Sequence, residues 1–468
     1  MYDEAMERIR QQPKPMETLA LRVLSWIVYA VRPLQLEELQ HAIAVTELEP
    51  DDQYISEEYL TPQSILVNAC AGMIKIDEAS NVIGLVHKST QDYFDRSSTK
   101  HFPHAQRDIG TSCVKYLSLE VFSSGPCSTD ELYERRVNEN ALLEYAAGNL
   151  GNLIRGMTEH NLYGMILKFL LDERQLLSAN QAFVAAQWHG PYGSSQDFRE
   201  DFSSVHYATY FRLEDILQLL LVNPKVDSDS KDSYGQTPLA WAAVCGHDAV
   251  VKLLLDSGEV DVNSKDWARD AHTPLSRAVC RRHHSVVELL LGYEKVDVDI
   301  RDSFGHTPLS LAARMDNDTV VKLLLDSKKV DVCSKDKFGQ PLFVWAVVDE
   351  SFNVVKQLLN VKEVDVDSKG LQNWTPLIWA IVWRKTEMVK LLLDSGRVDA
   401  DAKDPDGRTP LSVAADKGYE EIVELLIERD DVVINSKDKD GQTPLSRAAA
   451  GGHLAVVRLL VGRGGQTS

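Results

Sequence analysis

The chain has 468 residues, 44% of them hydrophobic, which is enough for two or three packed domains. Its net charge of −20 argues against broad affinity for nucleic acid or an anionic membrane surface, because neutralising phosphates takes a surplus of Lys and Arg; a basic partner suits it better. Six scattered cysteines lack the paired spacing of a zinc site or disulfide framework, and no apolar run reaches about 18 residues, so a cytoplasmic chain with reduced thiols and no metal, cofactor or membrane span is expected.

In chain order, residues 18–31 read as a strongly apolar helix, and Arg32-Pro33-Leu34 breaks it. A second helix starts over Leu36 to Val45 with Glu37 and Glu38 in its first turn, and a third covers Ser64 to Ala71. Two alternating segments follow, Met73 to Asp77 and Val82 to Val86, joined by a hairpin turn at Glu78 to Asn81. Helices followed by such a hairpin make a winged helix, assigned to residues 1–95. Winged helices often bind DNA, but residues 16–94 carry 4 Lys or Arg against 12 Asp or Glu, a balance hostile to a phosphate backbone.

Residues 96–200 read as a helical linker, with helices near Ala105 to Leu119, Thr129 to Asn149 and Tyr163 to Leu177. The stretch Gly190-Pro191-Tyr192-Gly193-Ser194-Ser195 is the candidate flexible joint.

From residue 201 a 34-residue period takes over, marked by Thr-Pro-Leu at 237, 273, 307, 375, 409 and 443, with degenerate copies at Ser203 and Pro341. One step is 36, with its two extra residues near Asp270 and Ala271. Such self-similarity marks a stacked array in which each unit relies on its neighbours for burial. Within a unit Thr237 is the expected N-cap, Pro238 pre-sets the first helical turn, and Gly246-His247 separates it from an apolar second helix. Val260-Asp261-Val262-Asn263 reads as a short extended finger leading to the next Asp-x-x-Gly turn. Leu391 is taken as an inter-unit core position.

This pattern resembles the ankyrin repeat, over repeats near 201–234, 235–269, 270–304, 305–338, 339–372, 373–406, 407–440 and 441–468. The resemblance implies a mainly α protein: an N-terminal winged helix and helical linker followed by an α-solenoid, with finger tips and first helices on a concave, partner-facing side. The offsets facing a partner hold Tyr234, Phe304, Phe338 and Trp374 near the tips, and Arg281, Met315 and Trp383 on first helices. Aromatics and Arg dominate interface energetics, although tip aromatics also pack on neighbouring fingers. Trp241, Trp345 and Trp379 share another offset, read as filling space between units, and the row Asp227, Asp261, Asp297, Asp331, Asp365 and Asp399 reads as solvated.

The segments Tyr2 to Ile9, Leu24-Ser25-Trp26, Arg32-Pro33-Leu34, Glu37-Glu38-Leu39, Leu85 to Ser89 and Asp92-Tyr93-Phe94 resemble the part that follows the ATPase core in fungal NACHT-ankyrin proteins, which are similar to NOD-like receptors. That resemblance gives His87 a role in sensing nucleotide phosphates; the alternative is a cap at the strand-to-helix junction. No Gly-x-x-x-x-Gly-Lys-(Ser/Thr) loop occurs, so any ATPase module would act in trans, and the chain reads as a fragment of a longer product or as a paralogue without the switch. The winged-helix type is also named after GPI inositol-deacylases, but the Gly-x-Ser-x-Gly elbow of a serine hydrolase is missing, and His283-His284 lacks the spacing of a zinc protease. The expectation is a non-catalytic scaffold or sensor that binds a partner protein through its concave face. The alternative is the sensor half of a nucleotide-switched receptor.

Overall fold

Apolar residues recurring on one side of short segments make the chain helical through most of its length. The structure is a computed structural model, in which residues 2–48, 54–157, 160–187, 195–196, 198 and 200–464 are described. It divides into two compact units, residues 1–238 with 256–259, and residues 239–255 with 260–468.

The first unit opens with α1 (Tyr2–Arg10), α2 (Lys14–Tyr29) and α3 (Leu36–Ala44). Helix α2 buries Leu19, Ala20, Val23, Leu24 and Trp26 along one side. Helix α3 begins with a capping box in which Glu38 Oε2 accepts from the Gln35 amide at 2.8 Å. Arg32 grips the same carboxylate through both oxygens, at 2.8 and 2.5 Å. After α4 (Gln63–Ala69) come β2 (Ile74–Asp77) and β3 (Val82–Leu85), paired antiparallel with Ile74 opposite Leu85 and Asp77 opposite Val82. The expected hairpin is there, and a strand β1 (Leu34–Gln35) adds to the far side of β3 to give the order β1-β3-β2. Two residues are too few to show alternation in sequence, so β1 was not anticipated. Helix α5 (Lys88–His101) closes this part. Arg10 donates to His101 Nδ1 at 3.0 Å, His101 Nε2 donates to the Tyr93 hydroxyl at 2.9 Å, and that hydroxyl donates to Asp3 at 2.9 Å, which ties α1 to α5.

Helix α6 (Ala105–Leu117) falls where expected, but the helix expected over Thr129 to Asn149 is two, α7 (Asp130–Glu139) and α8 (Leu143–Ile154). Asn140 makes the break with φ −131° and ψ 69°, its side chain turning back to the Arg136 carbonyl at 3.0 Å. The segment Tyr163 to Leu177 likewise belongs to α9 (His160–Leu171) and α10 (Glu173–Gln187), separated by Asp172, whose carboxylate caps α10 through the Gln175 amide at 3.0 Å. Gly190 to Ser194 of the expected joint lie outside the described residues. The unit continues with α11 (Ser204–Tyr210) and α12 (Glu214–Leu221).

The second unit is a succession of helix hairpins, such as Pro274–Arg281 with His284–Gly292 and Pro410–Lys417 with Glu420–Ile427. Thr273, Thr307, Thr375, Thr409 and Thr443 each cap their helix by accepting the N3 amide, with Pro at N1. Two sequence readings need correction. In the second helices Leu392 is fully buried and Leu391 only half-buried, because the triplet's middle leucine is the one in phase with Met388 and Val389 on the apolar side. The Val-Asp-Val segments do not pair as strands; the isolated bridge Lys335–Pro341 is the one recorded among the described residues outside the N-terminal sheet. The Asp row is exposed, as expected of a solvated row, and also structural: Asp261, Asp297, Asp331, Asp365 and Asp399 each accept the amide two residues on, at 3.0 to 3.2 Å, closing a turn.

Candidate protein-interaction surface

Four tip turns of the second unit are built around a carboxylate, buried at Asp302, Asp404 and Asp438 and half-buried at Asp336. At Asp302, Asp336, Asp404 and Asp438 one carboxylate oxygen accepts the amides two and four residues on, at 2.8 to 3.0 Å. The other oxygen takes a side chain: His306 for Asp302 at 3.1 Å, Trp345 Nε1 for Asp336 at 3.1 Å, Arg408 for Asp404 at 2.9 Å and Arg447 for Asp438 at 2.8 Å. Burial works to raise the pKa of Asp438, but the hydrogen bond and charge of Arg447 together with the Gln442 and Asp440 amides outweigh it, and the carboxyl sits below its ordinary range. Adjacent tips are sewn together by main chain, the Lys337 amide donating to the Phe304 carbonyl at 3.1 Å and Lys439 to Asp406 at 3.0 Å. A Cβ on Gly305 would stand 2.4 Å from the Lys337 nitrogen, so this approach needs glycine there. The result is a rigid platform whose outward side chains can be preorganised.

On this platform Phe338 is 61% and Trp383 58% exposed, and Arg281 is exposed as well. Tyr234, 52% exposed, belongs to the first unit. Phe304 is half-buried under the Lys337 ammonium, which lies 4.5 Å from its ring and 5.2 Å from that of Phe338, so one lysine brings the two phenylalanines together. Arg281, Met315 and Trp383 occupy one repeat position at first-helix C-termini, where Met315 is half-buried and its carbonyl accepts from Arg282. Trp374 does not join the tip row. It stands two residues further along the turn, half-buried and edge-on to Trp379 with centroids 4.9 Å apart.

Sequence reasoning missed three features. Arg314 lies over the Trp345 ring at 4.8 Å, and Trp345, expected between units, is instead half-buried with its indole on Asp336. Trp267, 67% exposed, stands just before the two extra residues near Asp270 and Ala271, and that insertion was its available signal. At the end of the fifth repeat Gly370 replaces the tip Asp, and Trp379 Nε1 in the helix that follows is a buried donor with no hydrogen-bond partner.

In the first unit His87 is exposed, and its Nδ1 accepts the Ser89 amide at 3.1 Å and lies 2.8 Å from the Ser89 hydroxyl. This is a cap on the first turn of α5. His283 is half-buried and donates through Nε2 to the Val244 carbonyl at 3.0 Å, an inter-repeat bond rather than a surface role. Among the described residues no three His, Cys, Asp or Glu are placed to hold a metal ion, and no helix is long and apolar enough to cross a membrane.

Comparison with known proteins adds a frame to these geometries. The family described as "Ankyrin repeats (3 copies)" matches residues 166–266, 259–336, 328–404 and 396–467. The family described as "GPI inositol-deacylase, winged helix domain" matches residues 6–102. No curated protein matches the chain. Among solved structures the chain is similar to the ankyrin repeat domain of Bcl-3, described as a unique member of the IkappaB protein family, with 28% identity over 48% of this chain and 99% of that one and a TM-score of 0.45.

Proposed function

This chain belongs to the ankyrin-repeat proteins, and from that premise we propose that it is a non-catalytic scaffold or sensor that grips a partner protein on the face made by its tips and first helices. One observation carries the reading: Phe338, Trp383 and Arg281 stay exposed on a stacked framework whose tip turns are tied by carboxylate-to-amide bonds such as that of Asp336 to the Phe338 amide. A fold that leaves large aromatics in water on rigid supports gains nothing from them by itself, whereas a partner would bury them. The test is affinity enrichment with the full chain and with Phe338→Ala/Trp383→Ala as baits, after matching their melting temperatures. Proteins held by the first and lost by the second support the reading, and identical retention on both overturns it.

A second reading, the regulatory half of a nucleotide-switched receptor, is supported by the winged-helix match and by His87, whose ring is exposed at the start of α5. ADP retention by a NACHT module mixed with the chain or with His87→Ala tests it; equal retention removes the histidine from any such role.

A further inference from the structure

Away from the repeats, the first unit has a groove of about 1210 Å³ lined by α3, the turn at Glu57 to Leu60, and residues of α7, α8 and α10. Drug-sized ligands occupy sites of roughly 300–1,000 Å³, so this one is large enough for a segment of polypeptide. Its lining charges are uneven: Glu37, Glu38, Glu57, Glu139 and Glu144 against Arg32. Arg32 is already committed to Glu38 through both guanidinium nitrogens, and its pKa is raised by that bond. Glu37 is held by the neutral Asn81 amide, 2.8 Å from each oxygen, and Glu144 by the Tyr133 hydroxyl at 3.0 Å, partners that leave their charge standing. Divalent metal does not explain the carboxylates, since no three of them are close enough to share an ion among the described residues.

A second feature points into the same groove. His41 is 8% exposed and lines it, with Nδ1 2.9 Å from the Tyr116 hydroxyl. A phenol hydroxyl donates to a neutral imidazole nitrogen more strongly than it accepts from one, so the Tyr116 proton goes to His41 Nδ1. The imidazole is therefore the tautomer with hydrogen on Nε2, and among the described residues no acceptor meets that hydrogen. Burial holds the ring's pKa below its ordinary value, keeping it neutral at physiological pH despite Glu37 nearby. A neutral donor among carboxylates suits a backbone carbonyl, and the carboxylates suit cationic side chains on either side of it.

We propose that this groove binds a basic peptide segment of a partner protein, with His41 Nε2 donating to a main-chain carbonyl while Glu37 and Glu57 receive Lys or Arg side chains. The requirement for both a carbonyl and flanking cations separates this site from general attraction to an acidic protein. Val31, 62% exposed at the rim, offers apolar surface to the stems of those long side chains.

Fluorescence anisotropy of a labelled acetyl-(Lys-Ala)4-amide peptide with the full chain tests this at constant salt. Glu37→Gln/Glu57→Gln should weaken binding about tenfold or more, as loss of close charge pairs does. The control Glu421→Gln/Glu424→Gln, an equal charge change on an exposed helix of the repeats, should leave it within about twofold. His41→Asn keeps an acceptor for Tyr116 but deletes the Nε2 donor, and should weaken binding about fivefold with melting matched to the parent. No binding, equal weakening by the control pair, or full affinity in the groove variants each overturns the proposal.

Discussion

The His453 imidazole lies against the bare Cα of Gly418: a Cβ there would stand 2.4 Å from His453 Nδ1, while Nε2 donates to the Asp416 carbonyl at 3.0 Å. Gly246 and His283 repeat the arrangement, with a Cβ 2.6 Å from Nδ1 and a 3.0 Å bond to Val244. Arg282, Asp316, Glu350 and Arg384 hold the same left-handed turn with φ of 49° to 60°, so positive φ alone does not demand glycine. The histidine of the next repeat does. Gly418→Ala should cost at least about 2 kcal/mol, backbone and clash together. In a His453→Ala background it should cost about 1 kcal/mol less, and chemical denaturation of the four proteins reads the coupling. Additive effects would mean that the ring does not occupy this space.

A second inter-repeat ladder links the turns. Asn263 accepts the Asp297 amide and donates to the Lys295 carbonyl, both at 2.9 Å, and Cys333 reaches the equivalent Glu363 carbonyl. Asp367 occupies the same position and accepts the Asp399 amide, but has no proton to donate. Burial raises its pKa, and Asp399 and Asp365 repel its charge, while the Asp399 amide pulls the other way. A carboxyl with a raised folded pKa binds protons more readily in the native state, so its destabilising share is absent below the unfolded value of about 3.9 and grows as pH rises through the folded one. Asp367→Asn should therefore stabilise by about 1 kcal/mol at pH 7, with a new bond to the Arg397 carbonyl, and the gain should fade as pH falls below about 4. Melting across pH checks both parts; a gain independent of pH would assign the effect to the hydrogen bond alone.

Burial within the second helices gives a cleaner contrast. Leu392 is fully buried between neighbours, whereas Leu391 is half-buried. Leu392→Asp should lose about 4 kcal/mol or more, the far tail of single substitutions, because an unpaired charge enters a dry core. Leu391→Asp should lose about half as much or less. Thermal melts of the two decide it, and since stability in a stacked array is shared between neighbours, the first should broaden or split the transition.

How far sequence carried the structure differs by level. Thr-Pro-Leu named the helix starts because the N-cap hydroxyl, the Pro at N1 and the first apolar residue are local chemistry, and each of Thr273, Thr307, Thr375, Thr409 and Thr443 caps as expected. The breaks at Asn140 and Asp172 were not legible, since a polar residue within a helical run either caps or faces water, and the sequence pattern is the same for both. On the candidate face, exposure of Phe338 and Trp383 agreed with their offsets, whereas Trp374 and Trp345 took roles set by partners in space. The acidic groove is not legible in sequence, because Glu37, Glu57 and Glu139 are far apart along the chain and come to line one groove only in the folded unit.

The missing tip carboxylate at Gly370, at the end of the fifth repeat, supplies the sharpest test of the tip architecture. Gly370 has φ −95° and ψ −151°, an extended conformation open to any residue, so glycine is not required by the backbone. Its place is partly taken by Gln340, whose side-chain oxygen accepts the Leu371 amide at 2.6 Å and would stand 2.2 Å from a Cβ at position 370. In a Gln340→Ala background that obstacle is gone. Adding Gly370→Asp should restore an acceptor for the turn amides and for Trp379 Nε1, as Asp336 serves Trp345, and raise stability by about 1–2 kcal/mol over Gln340→Ala alone. Denaturant titration measures the difference, and tryptophan emission should shift as the Trp379 indole gains a partner. A double variant no more stable than Gln340→Ala would show that Trp374, packed against Trp379, has closed the space that the other repeats keep for a carboxylate.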